Sequence, residues 1–125
     1  MVQLGSCQVL SIFDTGSTYN FISYNCACLT HCVMHPLLHS DCNSVLLADE
    51  SILQIVGKCY LNVQLQKHSA YAKFFVAESL SAHLILGDAF FRRFKGQINY
   101  RTNEITFSEN LIPIIPFLPK NMQNL

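Results

Sequence analysis

Ile12-Phe13-Asp14-Thr15-Gly16-Ser17-Thr18 is the stretch on which the reading of this chain turns. An apolar run, Gln8 to Phe13, stops abruptly at Asp-Thr-Gly, so a carboxylate is carried at the end of a short strand. Gly16 lets the backbone turn tightly and leaves room for close approach. The Thr15 hydroxyl is suited to hydrogen-bonding backbone across an interface, and the Ser17 hydroxyl to donating to the Asp14 carboxylate. Asp-x-Gly is also ordinary turn chemistry between two strands, so the surroundings must decide between turn and site.

Those surroundings are β-rich. Phe21 to Tyr24 is a second short strand, and Ser44 to Ala48 and Ile52 to Val56 flank Asp49-Glu50-Ser51 as a hairpin. From Cys59 to Gln66 polar Tyr60, Asn62, Gln64 and Gln66 alternate with apolar Leu61, Val63 and Leu65, which predicts one buried and one wet face. Tyr71 to Val76 is another strand. Leu84-Ile85-Leu86 stops at Gly87, and Asp88 is expected to N-cap a helix that ends near Gly96. Gln97 to Tyr100 and Glu104 to Phe107 form a further hairpin around Arg101-Thr102-Asn103. The stretch Asn25 to Asn43 has no clear period and reads as a helix to about Met34 followed by a loop. Pro113, Pro116 and Pro119 punctuate the end of the chain. Residues 1–110 are therefore expected to form one domain and 111–125 a proline-containing tail or linker.

Four regions of the chain resemble retropepsin-type aspartic proteases, those of retroviruses and long-terminal-repeat retrotransposons. Ile12 to Thr18 followed by Phe21-Ile22-Ser23 resembles their active-site loop, and Leu84-Ile85-Leu86-Gly87-Asp88-Ala89-Phe90-Phe91 their second signature. Between these, Leu47 to Leu53 followed by Gly57 resembles the flap hairpin. Phe94 to Tyr100 and Ile105 to Phe107 resemble the last strands, so the likeness runs from about Val2 to Phe107. It implies a mostly β fold, a closed acid-protease barrel with a flap hairpin and one short C-terminal helix. Catalysis would fall to Asp14, Thr15 and Gly16, with support from Ser17, Leu86 and Gly87. Ala48, Asp49, Glu50, Ser51 and Ile52 would form the flap over the substrate. Two features depart from the pattern: Glu50 stands where many members have Gly, and Gly87-Asp88-Ala89-Phe90-Phe91 is closer to the pepsin-like wording.

The chemistry so implied uses two carboxylates sharing a proton: one activates water and the other protonates the scissile carbonyl. The chain holds one Asp-Thr-Gly, and none of its other acids (Asp41, Asp49, Asp88, Glu50, Glu78, Glu104, Glu109) sits in such a loop. A two-fold homodimer with one Asp14 from each protomer is the expected repair, acting on a peptide or polyprotein substrate without cofactor or metal. Thr15 and Glu104 to Phe107 are the first places to look for the interface. A Ser17 hydroxyl on the carboxylate would give a more acidic optimum than that of Ser17→Ala.

Other classes fare worse. Formal net charge is zero, so the basic footprint of a nucleic-acid binder is missing. Half the residues are hydrophobic and 13% are charged, which suits a packed core, not a disordered chain. No stretch reads as a membrane span or a signal peptide, which points to the cytoplasm or the inside of a retroelement particle. Cys26, Cys28, His31, Cys32, His35, His39 and Cys42 are zinc-ligand types, but one residue between Cys26 and Cys28 does not fit common zinc spacing. Two rivals remain: a peptide-binding module of the same fold without activity, and a zinc-binding interaction domain built on Cys26 to Cys42.

Overall fold

The computed structural model describes residues 2–41, 43–46, 50–65, 68–107 and 112–116, with the last five and His68 described in backbone only. The chain is mostly β. The strands are β1 (Val2–Leu4), β2 (Cys7–Val9), β3 (Ser11–Phe13), β4 (Phe21–Ser23), β5 (Ser44–Leu46), β6 (Ile52–Leu65), β7 (His68–Ala77), β8 (Leu84–Leu86), β9 (Gly96–Asn99), β10 (Glu104–Phe107) and β11 (Ile112–Pro116). Helices α1 (Tyr24–Leu29) and α2 (Asp88–Arg93) complete it. One sheet runs in the order β2-β1-β6-β7-β4-β8-β3 with β5 attached to β6, and curls into a nearly closed barrel. A three-stranded sheet, β11-β10-β9, stands beside it.

Alternation along the central strands builds two cores at once. Ile22 of β4 and Phe74 and Val76 of β7 point into a large core with Val63, Leu84, Leu86, Phe90, Phe94, Ile105 and Phe107. Their neighbours Phe21, Phe75 and Ala77 point the other way, onto Leu53 and Ile55. Each fully buried aromatic or aliphatic side chain contributes about 2 kcal/mol. β6 serves both cores because a register shift between Ile55 and Gly57 bends it, so that one end pairs with β5 and the other with β7 and β1.

Several local expectations change. Gln8 to Phe13 is not one strand: Leu10 interrupts it, and β2 pairs with β1 while β3 pairs with β8. α1 starts where Ser23 accepts the Cys26 N–H on its hydroxyl, and stops at Thr30, before His31 turns to φ 55°. It therefore falls short of Met34. α2 is capped by Gly87, not Asp88; Asp88 lies inside the first turn and accepts a hydrogen bond from the Arg92 guanidinium. Within the segment expected to be a tail, Ile112–Pro116 pairs with β10. Its two prolines are tolerated because β11 lies at the edge of its sheet. β10 has partners on both sides, which leaves Glu104–Phe107 no open backbone edge for a second protomer.

The cysteines scatter by burial. Cys26 and Cys59 are in the large core with Cys7 and Cys32 against it, while Cys28, His31, His35 and His39 are exposed. Burial pushes the Cys26 thiol up to about 11 and raises that of Cys59 as well. Cys42 lies outside the described residues. Among the described residues no group of three or more His, Cys, Asp or Glu side chains is placed to hold a metal ion. Among them too, no helix is long and apolar enough to cross a membrane.

Candidate active site

β8 lies between β3 and β4, parallel to one and antiparallel to the other. The segment joining β3 to β4 therefore has to cross the end of β8, and it carries Asp14. The Asp14 N–H continues the β3–β8 ladder by donating to the Leu86 carbonyl at 3.0 Å. The Ser17 N–H closes a turn onto the Asp14 carbonyl at 3.0 Å, and the Gly16 N–H donates to Asp14 Oδ1 at the same distance. The carboxylate is thus held at the end of a ladder by its own turn, half-buried.

Gly87 is required by the crossing. A Cβ there would lie 2.3 Å from the Tyr19 carbonyl and 2.6 Å from that of Ser17. With no side chain in the way, Asp88 N–H reaches the Ser17 carbonyl at 2.6 Å and Ala89 N–H that of Thr18 at 3.1 Å. The first turn of α2 thereby supplies the donors that a crossing loop needs.

Asn20 completes the frame, and no sequence motif marked it. It is 5% exposed. Its Oδ1 accepts the Gly87 N–H at 3.0 Å, its Nδ2 donates to the Lys73 carbonyl at 3.1 Å, and its own carbonyl accepts the Phe75 N–H at 2.9 Å. One side chain ties the Asp14 loop, the start of α2 and β7 together. An Asn between Tyr and Phe looks like any strand-edge polar residue; its role exists only once β7 and β8 flank β4.

The sequence-predicted residues separate into groups. Asp14, Gly16 and Ser17 open onto a cavity of about 440 Å³ walled by Phe21, Val45, Leu53, Leu80 and Ile85. Leu86 and Gly87 act from beneath the loop. Ser17 does not donate to the carboxylate: its hydroxyl donates to the Tyr19 carbonyl at 2.8 Å, so the expected acid shift has no geometric basis within one protomer. Thr15 is exposed and faces a separate, shallow concavity with Asp88, Phe91, Ile98 and Tyr100. Of the flap, Ala48 and Asp49 lie outside the described residues. Glu50 sits at φ 70°, a left-handed conformation that favours glycine. Ser51 is exposed, and Ile52 opens β6. The hairpin base reaches the cavity through Leu53, the last residue of the flap-like motif, and Val45, which lies outside it. Leu80 was invisible too, since it comes from a stretch with no period.

A carboxylate turned out of a strand that crosses a third strand's end, above an apolar cleft with a hairpin over it, defines a retropepsin-like protease domain. The fold is shared with the retroviral protease-like domain of Ddi1 from Leishmania major, at a TM-score of 0.71 and 18% identity over 96% of this chain and 92% of that one. More particularly, residues 11–112 match the PEG10/RTL1 protease domain, and the chain belongs to that family, a retropepsin-like domain from a retrotransposon-derived gene. No curated protein sequence matches it.

Proposed function

We propose that this chain is an aspartic endopeptidase that works as a homodimer, with the Asp14 carboxylates of two protomers sharing a proton across a two-fold axis. The observation that carries this reading is the placement of Asp14 itself, held by the Leu86 carbonyl and the Gly16 N–H over a cleft lined by Phe21, Leu53, Leu80 and Ile85. One carboxylate activates water while the other protonates the carbonyl of the scissile peptide. The apolar cleft takes side chains of an extended peptide, and the Glu50 hairpin closes over it and excludes water. Thr15, exposed beside Phe91, Ile98 and Tyr100, offers the partner its contact. The substrate on this reading is a retroelement polyprotein, cut in the cytoplasm or in a particle.

The test is peptide-library cleavage from acid to neutral pH by the wild-type chain and Asp14→Asn. Asp14→Asn is expected to lose at least about 10³-fold in rate while keeping its fold, in line with losing a general acid–base group. The wild-type specific rate should fall on dilution. Cleavage that survives Asp14→Asn would end the proposal.

A further inference from the structure

A second cavity, of about 540 Å³, adjoins the Asp14 cleft at Tyr19, which among the described residues lines both. Its chemistry differs. Among the described residues no cation lines the cleft, whereas the second cavity adds Lys73, Arg93 and the Tyr60 and Tyr71 rings to an apolar base that includes Phe75 and Phe90. Tyr60 and Tyr71 stack with ring centres 6.2 Å apart and planes 15° apart, and both are exposed. Lys73 is fixed rather than loose: its ammonium lies 4.7 Å over the Phe75 ring and 3.7 Å from Asp41 Oδ1. Among the described residues Asp41 is the single acid lining the cavity, and its other oxygen already accepts from Lys58 at 2.9 Å. One carboxylate thus serves two lysines. Arg93 rests over the Phe94 ring and pairs with no carboxylate among the described residues. The walls carry a surplus of positive charge beside exposed aromatic faces.

We propose that this cavity is a distal subsite for an acidic residue, adjoining an aromatic one, of the same peptide whose scissile bond lies over Asp14. The inference rests on the proteolytic reading for the path of that peptide. An extended strand advances about 3.3 Å per residue, so a chain leaving the cleft past Tyr19 brings a residue distant from the scissile bond to the second cavity. A carboxylate there meets Lys73 and Arg93, and a neighbouring ring stacks on Tyr60 and Tyr71. The spacing to the catalytic loop is rigid, because Asn20 bonds the Lys73 carbonyl with one end of its amide and the Gly87 N–H with the other.

Binding separates this inference from catalysis. Fluorescein-labelled peptides with a common apolar centre, flanked on one side by Glu-Tyr or by Lys-Tyr, are titrated against the full chain carrying Asp14→Asn. The Glu peptide is expected to bind about tenfold tighter, as two partly exposed ion pairs allow, with a preference that shrinks in high salt. The preference should vanish in Lys73→Met/Arg93→Met and reverse in Lys73→Glu/Arg93→Glu; these side chains project to solvent, and thermal melts check that both variants fold. Equal binding of the two peptides, binding of neither, or a preference that outlives both double variants would overturn the subsite. In the wild-type chain the same peptides give kcat/KM. A charge preference in binding with no cleavage at any pH would remove the proteolytic reading and leave the cavity as an acidic-peptide site.

Discussion

The Asp14 loop and the flap hairpin border the same cleft and are built in opposite ways. The loop is bonded at almost every residue: Asp14, Gly16 and Ser17 donate from their N–H groups, and Ser17, Thr18 and Asn20 accept on their carbonyls. Among the described residues the hairpin pairs Ser44 with Gln54, Val45 with Leu53 and Leu46 with Ile52, and the Asn43 carbonyl accepts the Ile55 N–H. Its Leu46 and Ile52 are 71% and 62% exposed, and Glu50 holds a backbone conformation costly for a residue with a Cβ. The contrast follows from what each must do. Under the proposed function, a group that transfers a proton needs sub-ångström placement, whereas a cover has to part to admit a peptide.

Substitutions can break or sharpen that contrast. Gly87→Ala should act most strongly, because its Cβ meets backbone carbonyls that cannot swing aside. A loss of about 3 kcal/mol in denaturant unfolding is expected, with activity lost in parallel. A tolerated alanine would show that the loop is less fixed than its bonds imply. Asn20→Ala should cost about 2 kcal/mol by leaving the buried Gly87 N–H without its acceptor and the partly buried Lys73 carbonyl without the amide donor, and the same unfolding curves measure it. On the flap side the sign reverses. Glu50→Gly should stabilise by up to about 1 kcal/mol through relief of the left-handed strain, and any kinetic change should appear in KM before kcat.

The smallest effect is expected outside both regions, at Asp41. The Leu38 N–H and then Lys58 hold its carboxyl below the usual carboxylate range. A lowered folded value means stability that is present above the unfolded value, about 4, and lost as pH falls through the folded one. Asp41→Asn should therefore lower Tm at neutral pH, and the gap to wild type should close in melts taken below about pH 4. A gap that persists in acid would assign the loss to packing instead.

Much of the fold could be read in advance because it is local. The Glu104–Phe107 hairpin, the alternation of β6 and the apolar run ending at Gly87 each follow from period and turn chemistry within a few residues. Asp14 and Gly87 were legible through their motifs. Three things were not. Asp88 has the composition of a cap, yet Gly87 takes that place because the crossing loop leaves no room for a Cβ there. The Ser17 hydroxyl found a nearer acceptor in the Tyr19 carbonyl. Asn20, Leu80 and the second cavity depend on strands far apart in sequence lying side by side, which no window along the chain can report.

The insertion of β8 between β3 and β4 also imposes an order in time. Ser11 meets Leu84 and Phe13 meets Leu86, contacts that close one of the longest loops in the chain. Such closure is entropically costly and slow, and it comes after local hairpins such as Val2–Val9 have formed. On a ribosome the carboxylate strand emerges early and waits without its neighbour until nearly the whole domain has been synthesised. A chain interrupted before Leu84 would carry Asp14 on an unanchored segment, without the strand and the Leu86 carbonyl that fix its loop.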